Sequence, residues 1–313
     1  MSLLNIHLHP EVEAALSAKQ PVVALESTLI THGFPRPDNL DIATAIEQTV
    51  REHGAVPATI AILDGQITVG LTNQQLEQLA DLEQARKCSV RDLPITISKR
   101  EYGATTVAAT MIIAHRVGIQ VFATGGIGGI HRRNPGRLDT TAADGWDVSA
   151  DLRELGRTPI TVVCAGMKAF LDLPATLEYL ETQAVPVLGY GVKELPAFYS
   201  HKSGLALDSQ VDSPQEVAQI IQIRNELGLK NAILVTVPVP TDQEWPAQEA
   251  GVVIELALAE AQTMAITGKA VTPFLLDRIV NLSAGRSKQA NTSLLLNNAR
   301  LGAQIAAAHQ SIE

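Results

Sequence analysis

The chain is short of cysteine, of basic runs and of long uncharged apolar stretches, and each shortage argues against a class of protein. Its two cysteines, Cys88 and Cys164, lie in unrelated segments without metal-ligand spacing, so neither a zinc site nor a disulfide framework is expected. A reducing cytoplasm fits such usage best. Lysine and arginine number 24 against 33 acidic residues, a formal charge of -9, and nowhere do they gather into a phosphate-neutralising stripe. That balance argues against a general nucleic-acid binder and leaves room for a local basic pocket that holds one phosphate. The longest apolar stretch, residues 251–267, carries Glu255 and Glu260, which reads as a core-packed helix and not as a membrane span. The opening residues lack a cationic start followed by a long apolar core, so no secretory signal is expected. No repeat, low-complexity tail or linker interrupts the 313 residues.

What is present is an alternation of short buried strands and amphipathic helices. With 46% hydrophobic residues the chain has ample material for a core, and the alternation implies a single α/β domain over residues 1–313 with a largely parallel sheet. Residues 21–25, 95–97, 120–123, 161–165, 185–190 and 232–237 read as strands. Residues 59–63 and 66–70, joined through Asp64 and Gly65, read as a tight hairpin. Helices are expected over 73–85, 104–117, 177–182, 246–266, 273–281 and 287–309, with a further one opened by Ser213-Pro214-Gln215-Glu216 as a capping box with proline at its first position. Another follows Asp38, after a proline-punctuated loop over 31–38 whose length suggests a flap.

The stretch from Asp147 to Lys168 carries the densest chemistry. Lys168 stands just beyond the strand 161–165, and in open α/β sheets ligands bind at the carboxyl ends of strands. Desolvation beside Val163, Cys164 and Met167 would leave part of that amine neutral and nucleophilic; alternatively its stem lies on apolar surface while its head reaches water. Asp147, Ser149 and Asp151 alternate, so in an extended segment they would share one side and offer a hard metal ion or a sugar a set of oxygens. The competing reading makes Ser149 or Asp151 the cap of a following helix. Glu26 ends the strand 21–25, where a partly buried carboxyl would pass protons near neutral pH, or would serve as a cap or ion-pair partner. Lys87 reads as a basic residue in a loop. The glycines of 124–129, followed by His131 and Arg132, would let backbone amides approach a phosphate, though tight-turn sterics would explain them as well.

Laid end to end, these segments resemble the pseudouridine-5'-phosphate glycosidase family over almost the whole chain. The resemblance rests on Ala24-Leu25-Glu26-Ser27-Thr28 with Thr31-His32-Gly33, on 103–111, and on Phe122-Ala123-Thr124 with the glycines that follow as far as Arg132. It continues through 147–152, Val162 to Lys168, 176–182 and 272–276. The family implies reversible cleavage of pseudouridine 5'-phosphate to uracil and ribose 5-phosphate, a three-layer α/β/α fold, a divalent ion that is usually manganese, and a homotrimer. At matching positions Lys168 resembles the imine-forming nucleophile, Glu26 the proton donor and Asp147 the metal ligand. Lys87, Val107 and Ser149-Ala150-Asp151 match substrate-binding positions, with His131 and Asn291 as further polar contacts. The connection from Arg132 to Asp147 departs from the family pattern in being longer. Two other functions fit parts of the pattern: a lysine-dependent sugar-phosphate aldolase, and a sugar-phosphate-sensing subunit without catalysis.

Overall fold

Runs of β-branched and small apolar residues build the sheet that organises the molecule. In the computed structural model, which describes residues 5–82, 85–132 and 147–312, eleven strands join into one sheet. Its main path runs Ile6–Leu8, Gln66–Val69, Val56–Leu63, Val22–Leu25, Val121–Ala123, Thr161–Cys164, Ile233–Thr236, Val187–Tyr190 and Ser209–Val211. From Val56–Leu63 to Ser209–Val211 all neighbours on that path are parallel. The central strands Val22–Leu25, Val121–Ala123, Thr161–Cys164 and Ile233–Thr236 are buried along their whole length, as strands covered on both faces must be.

Helices cover both faces, giving the expected three-layer α/β/α architecture. The long helix Arg286–Gln310 lies across the central strands between the helices Asp38–Glu52 and Pro214–Glu226. It comes close enough that a Cβ on Gly302 would stand 3.1 Å from that of Ala123, so a small residue sets the helix-to-sheet distance there. On Asp38–Glu52 the core face is Ile42, Ile46 and Val50, all buried, and each such side chain contributes roughly 1.5–3 kcal/mol on leaving water. The opposite face carries Val107–Arg116 and Ala150–Leu155, which pack on each other. Among the described residues no helix is long and apolar enough to cross a membrane.

Most expected elements form, and the differences have local causes. The hairpin turn has Asp64 at φ 50° and Gly65 at φ 75°, the left-handed pair that a two-residue loop requires. Residues 95–97 are not a strand but part of the helix Leu93–Ser98, which continues from a 3-10 turn, Val90–Asp92, capped by Ser89 and Asp92. Residues 103–105 form a strand before the helix begins at Val107. Lys87 lies in the strand Arg86–Cys88 and not in a loop; the strand is held in parallel register with 103–105. The segment over 31–38 is anchored: Phe34 is buried, and the Asn39 amide donates to the carbonyls of Ile30 and Ala80 at 2.8 and 3.0 Å. The greater part of the long connection, residues 133–146, lies outside the described residues.

Candidate active site

The parallel strands end on a cavity of about 700 Å3. Glu26 directly follows Leu25, Thr124 follows Ala123, and Lys168 stands four residues beyond Cys164, so three neighbouring strands bring a carboxylate and an amine to the cavity and a hydroxyl onto that carboxylate. Beyond the sheet the two loops continue pairing with each other. Thr124 N donates to Val163 O, Ala165 N to Gly125 O, Ile127 N to Gly166 O and Lys168 N to Ile127 O, at 2.9 to 3.2 Å. This backbone zipper fixes where the Lys168 side chain starts, and the residue is half-buried. Gly166 makes the turn possible: its φ is +84°, and a Cβ there would meet the Pro196 carbonyl at 2.8 Å. Cys164, the other nucleophile nearby, is fully enclosed, and burial pushes its thiol up to about 12, so it stays protonated and inert.

Glu26 is held from both sides. Thr28 Oγ1 donates to its Oε2 and Thr124 Oγ1 to its Oε1. Two hydroxyl donors on a half-buried carboxylate fix its orientation and still leave each oxygen a lone pair. Thr28 and Thr124 belong to the motifs seen in the sequence, yet nothing in the sequence assigned them a role; a hydroxyl residue two positions beyond the carboxylate was the available signal.

The facing wall carries charge. Burial pushes the His131 imidazole down, Asp147 opposes the shift, and the ammonium groups of Lys168 and Lys87 add to it. His32, which shares a hydrogen bond with Thr31, is pushed down to about 4 by burial, with Lys87 contributing. Lys87, His131, Asp147 and Lys168 all line the cavity, with Val107, Ala150 and Asn291. Arg132, by contrast, spends its guanidinium on the carbonyls of Leu171 and Ala169 and on Glu255, so it is not a cavity group.

Asp147, Ser149 and Asp151 do not act as one face. Ser149 caps the helix Ala150–Leu155 by accepting from Asp151 N, which turns Asp151 inward to 6% exposure while Asp147 stays exposed. The Asp151 carboxylate accepts from Ala108 N and Gly128 N, both at 2.9 Å. Its oxygens therefore tie the glycine loop to the first turn of the helix Val107–Arg116, where amides have no intrahelical acceptor. That makes Asp151 a buried support whose residue borders the cavity. The glycines of the loop answer to the same packing. A Cβ on Gly128 would come within 2.8 Å of Asp151 Oδ2, and one on Gly126 within 2.6 Å of the Phe198 ring. Phe198, between the strands Val187–Tyr190 and Ser209–Val211, is buried and edge-on to Tyr199 at 4.7 Å. It forms part of the cavity wall, and no periodicity in the sequence pointed to it.

Among the described residues no group of three or more metal-ligating side chains gathers in one place. Asp147 is, among the described residues, the one exposed carboxylate lining this wall. That arrangement fits a hard divalent ion that keeps several waters and takes further oxygens from a substrate phosphate, and it does not fit a closed protein cage.

Comparison with known proteins places this geometry in context. The family described as Indigoidine synthase A like protein matches residues 11–308. The pseudouridine-5'-phosphate glycosidase of Paracoccus denitrificans (strain Pd 1222) is 54% identical over 305 residues, 97% of this chain and 98% of that protein. Among solved structures, an indigoidine synthase A-like protein from Thermotoga maritima aligns with a TM-score of 0.88 at 34% identity, over 99% of this chain and 98% of its own. The prealnumycin C-glycosynthase AlnA, solved with ribulose 5-phosphate, aligns with the same TM-score at 36% identity over 100% and 99% of the two chains.

Proposed function

The chain belongs to the indigoidine synthase A-like family, and from that premise we propose that it is a pseudouridine-5'-phosphate glycosidase, cleaving the C–C glycosidic bond reversibly to uracil and ribose 5-phosphate. The observation that carries the reading is the meeting of Lys168 and Glu26 in one cavity, with Lys87 and Asp147 on its charged wall. An ordinary glycosidase needs a leaving oxygen or nitrogen to protonate, and here the leaving atom is carbon. A different electron sink is required.

Lys168 supplies it. The Lys168 amine bonds to the anomeric carbon as the ring carbon–oxygen bond breaks; Glu26 gives the ring oxygen a proton and takes one from the ammonium nitrogen so formed, which restores that nitrogen's lone pair. Glu26 then delivers a proton to the uracil carbon; the lone pair on the Lys168 nitrogen forms the imine as the C–C bond electrons pass to the departing uracil. Water hydrolyses the imine, returning the amine and releasing ribose 5-phosphate. Lys87, Val107 and the Ser149-Ala150-Asp151 segment position the sugar phosphate, Asp151 through the backbone it fixes, with His131 and Asn291 as neighbouring polar groups. A divalent ion, manganese in our reading, would be anchored by Asp147 and would neutralise phosphate charge when bound.

The substrate is thus a small nucleotide, and neither nucleic acid nor a membrane takes part. Both cysteines are free thiols, which supports a reducing compartment, the cytoplasm. The exposed Ile223, Leu227 and Leu229 support self-association; our reading of the assembly is a homotrimer, which sedimentation velocity checks. Incubation with pseudouridine 5'-phosphate and manganese, followed by product analysis, tests the function. Uracil and ribose 5-phosphate are expected, and K168A should lose on the order of 10^5-fold or more in kcat, as enzymes that lose their nucleophile do. Borohydride with ribose 5-phosphate should add the sugar phosphate to the peptide that holds Lys168, and an unlabelled peptide would count against the imine.

A further inference from the structure

A carboxyl group that gives and regains a proton in every cycle sets its neighbours a problem. Ionised, it only accepts hydrogen bonds; protonated, one oxygen becomes a donor and needs an acceptor. A fixed donor beside that oxygen would favour one half of the cycle and oppose the other. The two hydroxyls on Glu26 differ in this respect. Thr124 Oγ1 has Glu26 Oε1 as its hydrogen-bond partner, at 2.5 Å. Thr28 Oγ1 has two acceptors in reach: Glu26 Oε2, and the carbonyl of Thr105 at 3.3 Å. That carbonyl already receives Ser27 N at 3.4 Å and retains a second lone pair. Thr28 is itself only 8% exposed, so water does not readily take the place of either acceptor.

We propose that Thr28 is a positioning residue whose hydroxyl turns between Glu26 Oε2 and the Thr105 carbonyl as Glu26 exchanges its proton, while Thr124 holds Oε1 throughout. The inference rests on the proton-transfer role given to Glu26 above. When the carboxylate takes a proton on Oε2, the Thr28 hydroxyl hydrogen turns to the Thr105 oxygen and the freed Oγ1 lone pair accepts the new O–H. When Glu26 gives that proton to uracil carbon, the hydroxyl turns back. Thr28 neither gains nor loses a proton overall, and the pairing selects Oε2 as the oxygen that carries it.

The test compares full-length T28V, T28S and E26Q with the wild type, using pseudouridine 5'-phosphate and manganese. T28V keeps the shape and removes the hydroxyl; kcat should fall by about 10^2-fold with KM changed by less than about threefold, since the interaction serves proton transfer and not substrate binding. T28S should return to within about fivefold of the wild-type kcat. Borohydride trapping of ribose 5-phosphate on Lys168 should persist in T28V, because the amine is untouched. Should T28V fold poorly, the drop from T28S to T28A isolates the same hydroxyl. A T28V kcat within about threefold of wild type beside an inactive E26Q, or a T28S as poor as T28V, overturns the turning hydroxyl and leaves the glycosidase reading in place. A near-normal E26Q overturns the turning hydroxyl together with the proton-transfer role of Glu26 on which it rests.

Discussion

The two walls of the cavity are built in different ways. The strand-end wall, with Glu26, Thr28, Thr124 and Lys168, is assembled by backbone pairing that continues from the sheet into the loops, and its carboxylate is gripped at both oxygens. The charged wall, with Lys87, His131 and Asp147, stands on short strands and the approach to a capped helix, and there burial and the neighbouring charges act on His131. Bond-breaking demands placement to fractions of an ångström, which a continuous hydrogen-bond network gives; holding a phosphate or a hydrated ion tolerates more latitude. If that division is right, substitutions on the first wall should act on kcat and those on the second on binding.

The largest break expected is E26Q, which should cost ~10^2 to 10^4-fold in kcat with KM little changed, the range for loss of a general acid–base group. Steady-state rates on pseudouridine 5'-phosphate check it; a large rise in KM at normal kcat would erase the distinction between the walls. Next comes D147N, which should leave saturating kcat nearly intact while raising the manganese concentration for half-maximal activity by about 10-fold or more, because a neutral amide is a poorer ligand for a hard cation. Titration of activity against manganese after chelation reads this directly.

Asp151 joins the walls, so its substitution should cost stability before chemistry. D151N changes almost no volume but sets an amide against two backbone donors, Ala108 N and Gly128 N, of which its one oxygen can satisfy only part. A buried donor left unpaired costs about 1–3 kcal/mol. Denaturant unfolding should therefore show a lower midpoint at unchanged slope.

Much of this was legible in the chain, and the misses have causes. Strand-end positions of Glu26 and Lys168 could be read because buried parallel strands are short apolar runs that stop abruptly, and the residue after the stop falls at the sheet edge where ligands bind. Ile95-Thr96-Ile97 looked like a strand because β-branched residues favour one, and the Ser89–Asp92 cap overrode that preference. The alternation of Asp147, Ser149 and Asp151 misled for a similar reason: once Ser149 caps a helix, the next residues turn by 100° each, and Asp151 points inward. Phe198 and the pairing of Thr124 with Glu26 depend on contacts between residues tens of positions apart, which no local pattern records.

The smallest effect expected sharpens the comparison by pH. His32 lines the cavity, and its ring is held down to about 4, first by burial and then by the Lys87 charge, against an ordinary value near 6.5. Between about pH 4 and 6.5 the unfolded chain binds this proton and the folded chain does not, so folding stability contributed by neutral His32 is complete above pH 6.5 and is lost as the pH falls toward 4. H32Q removes the titrating group at similar size. The gap between wild-type and H32Q unfolding free energies should therefore stay constant above pH 7 and move against the wild type on acidification from 6.5. Because His131 and His115 are also pushed down, the wild-type curve alone does not isolate His32, and the difference between the two proteins does. Substituting Lys87 with methionine as well should shrink that acid-side gap, since removal of the neighbouring charge lets His32 protonate more readily in the folded state. A gap unaffected by Lys87 would mean that burial acts alone and that the Lys87 charge does not act on His32.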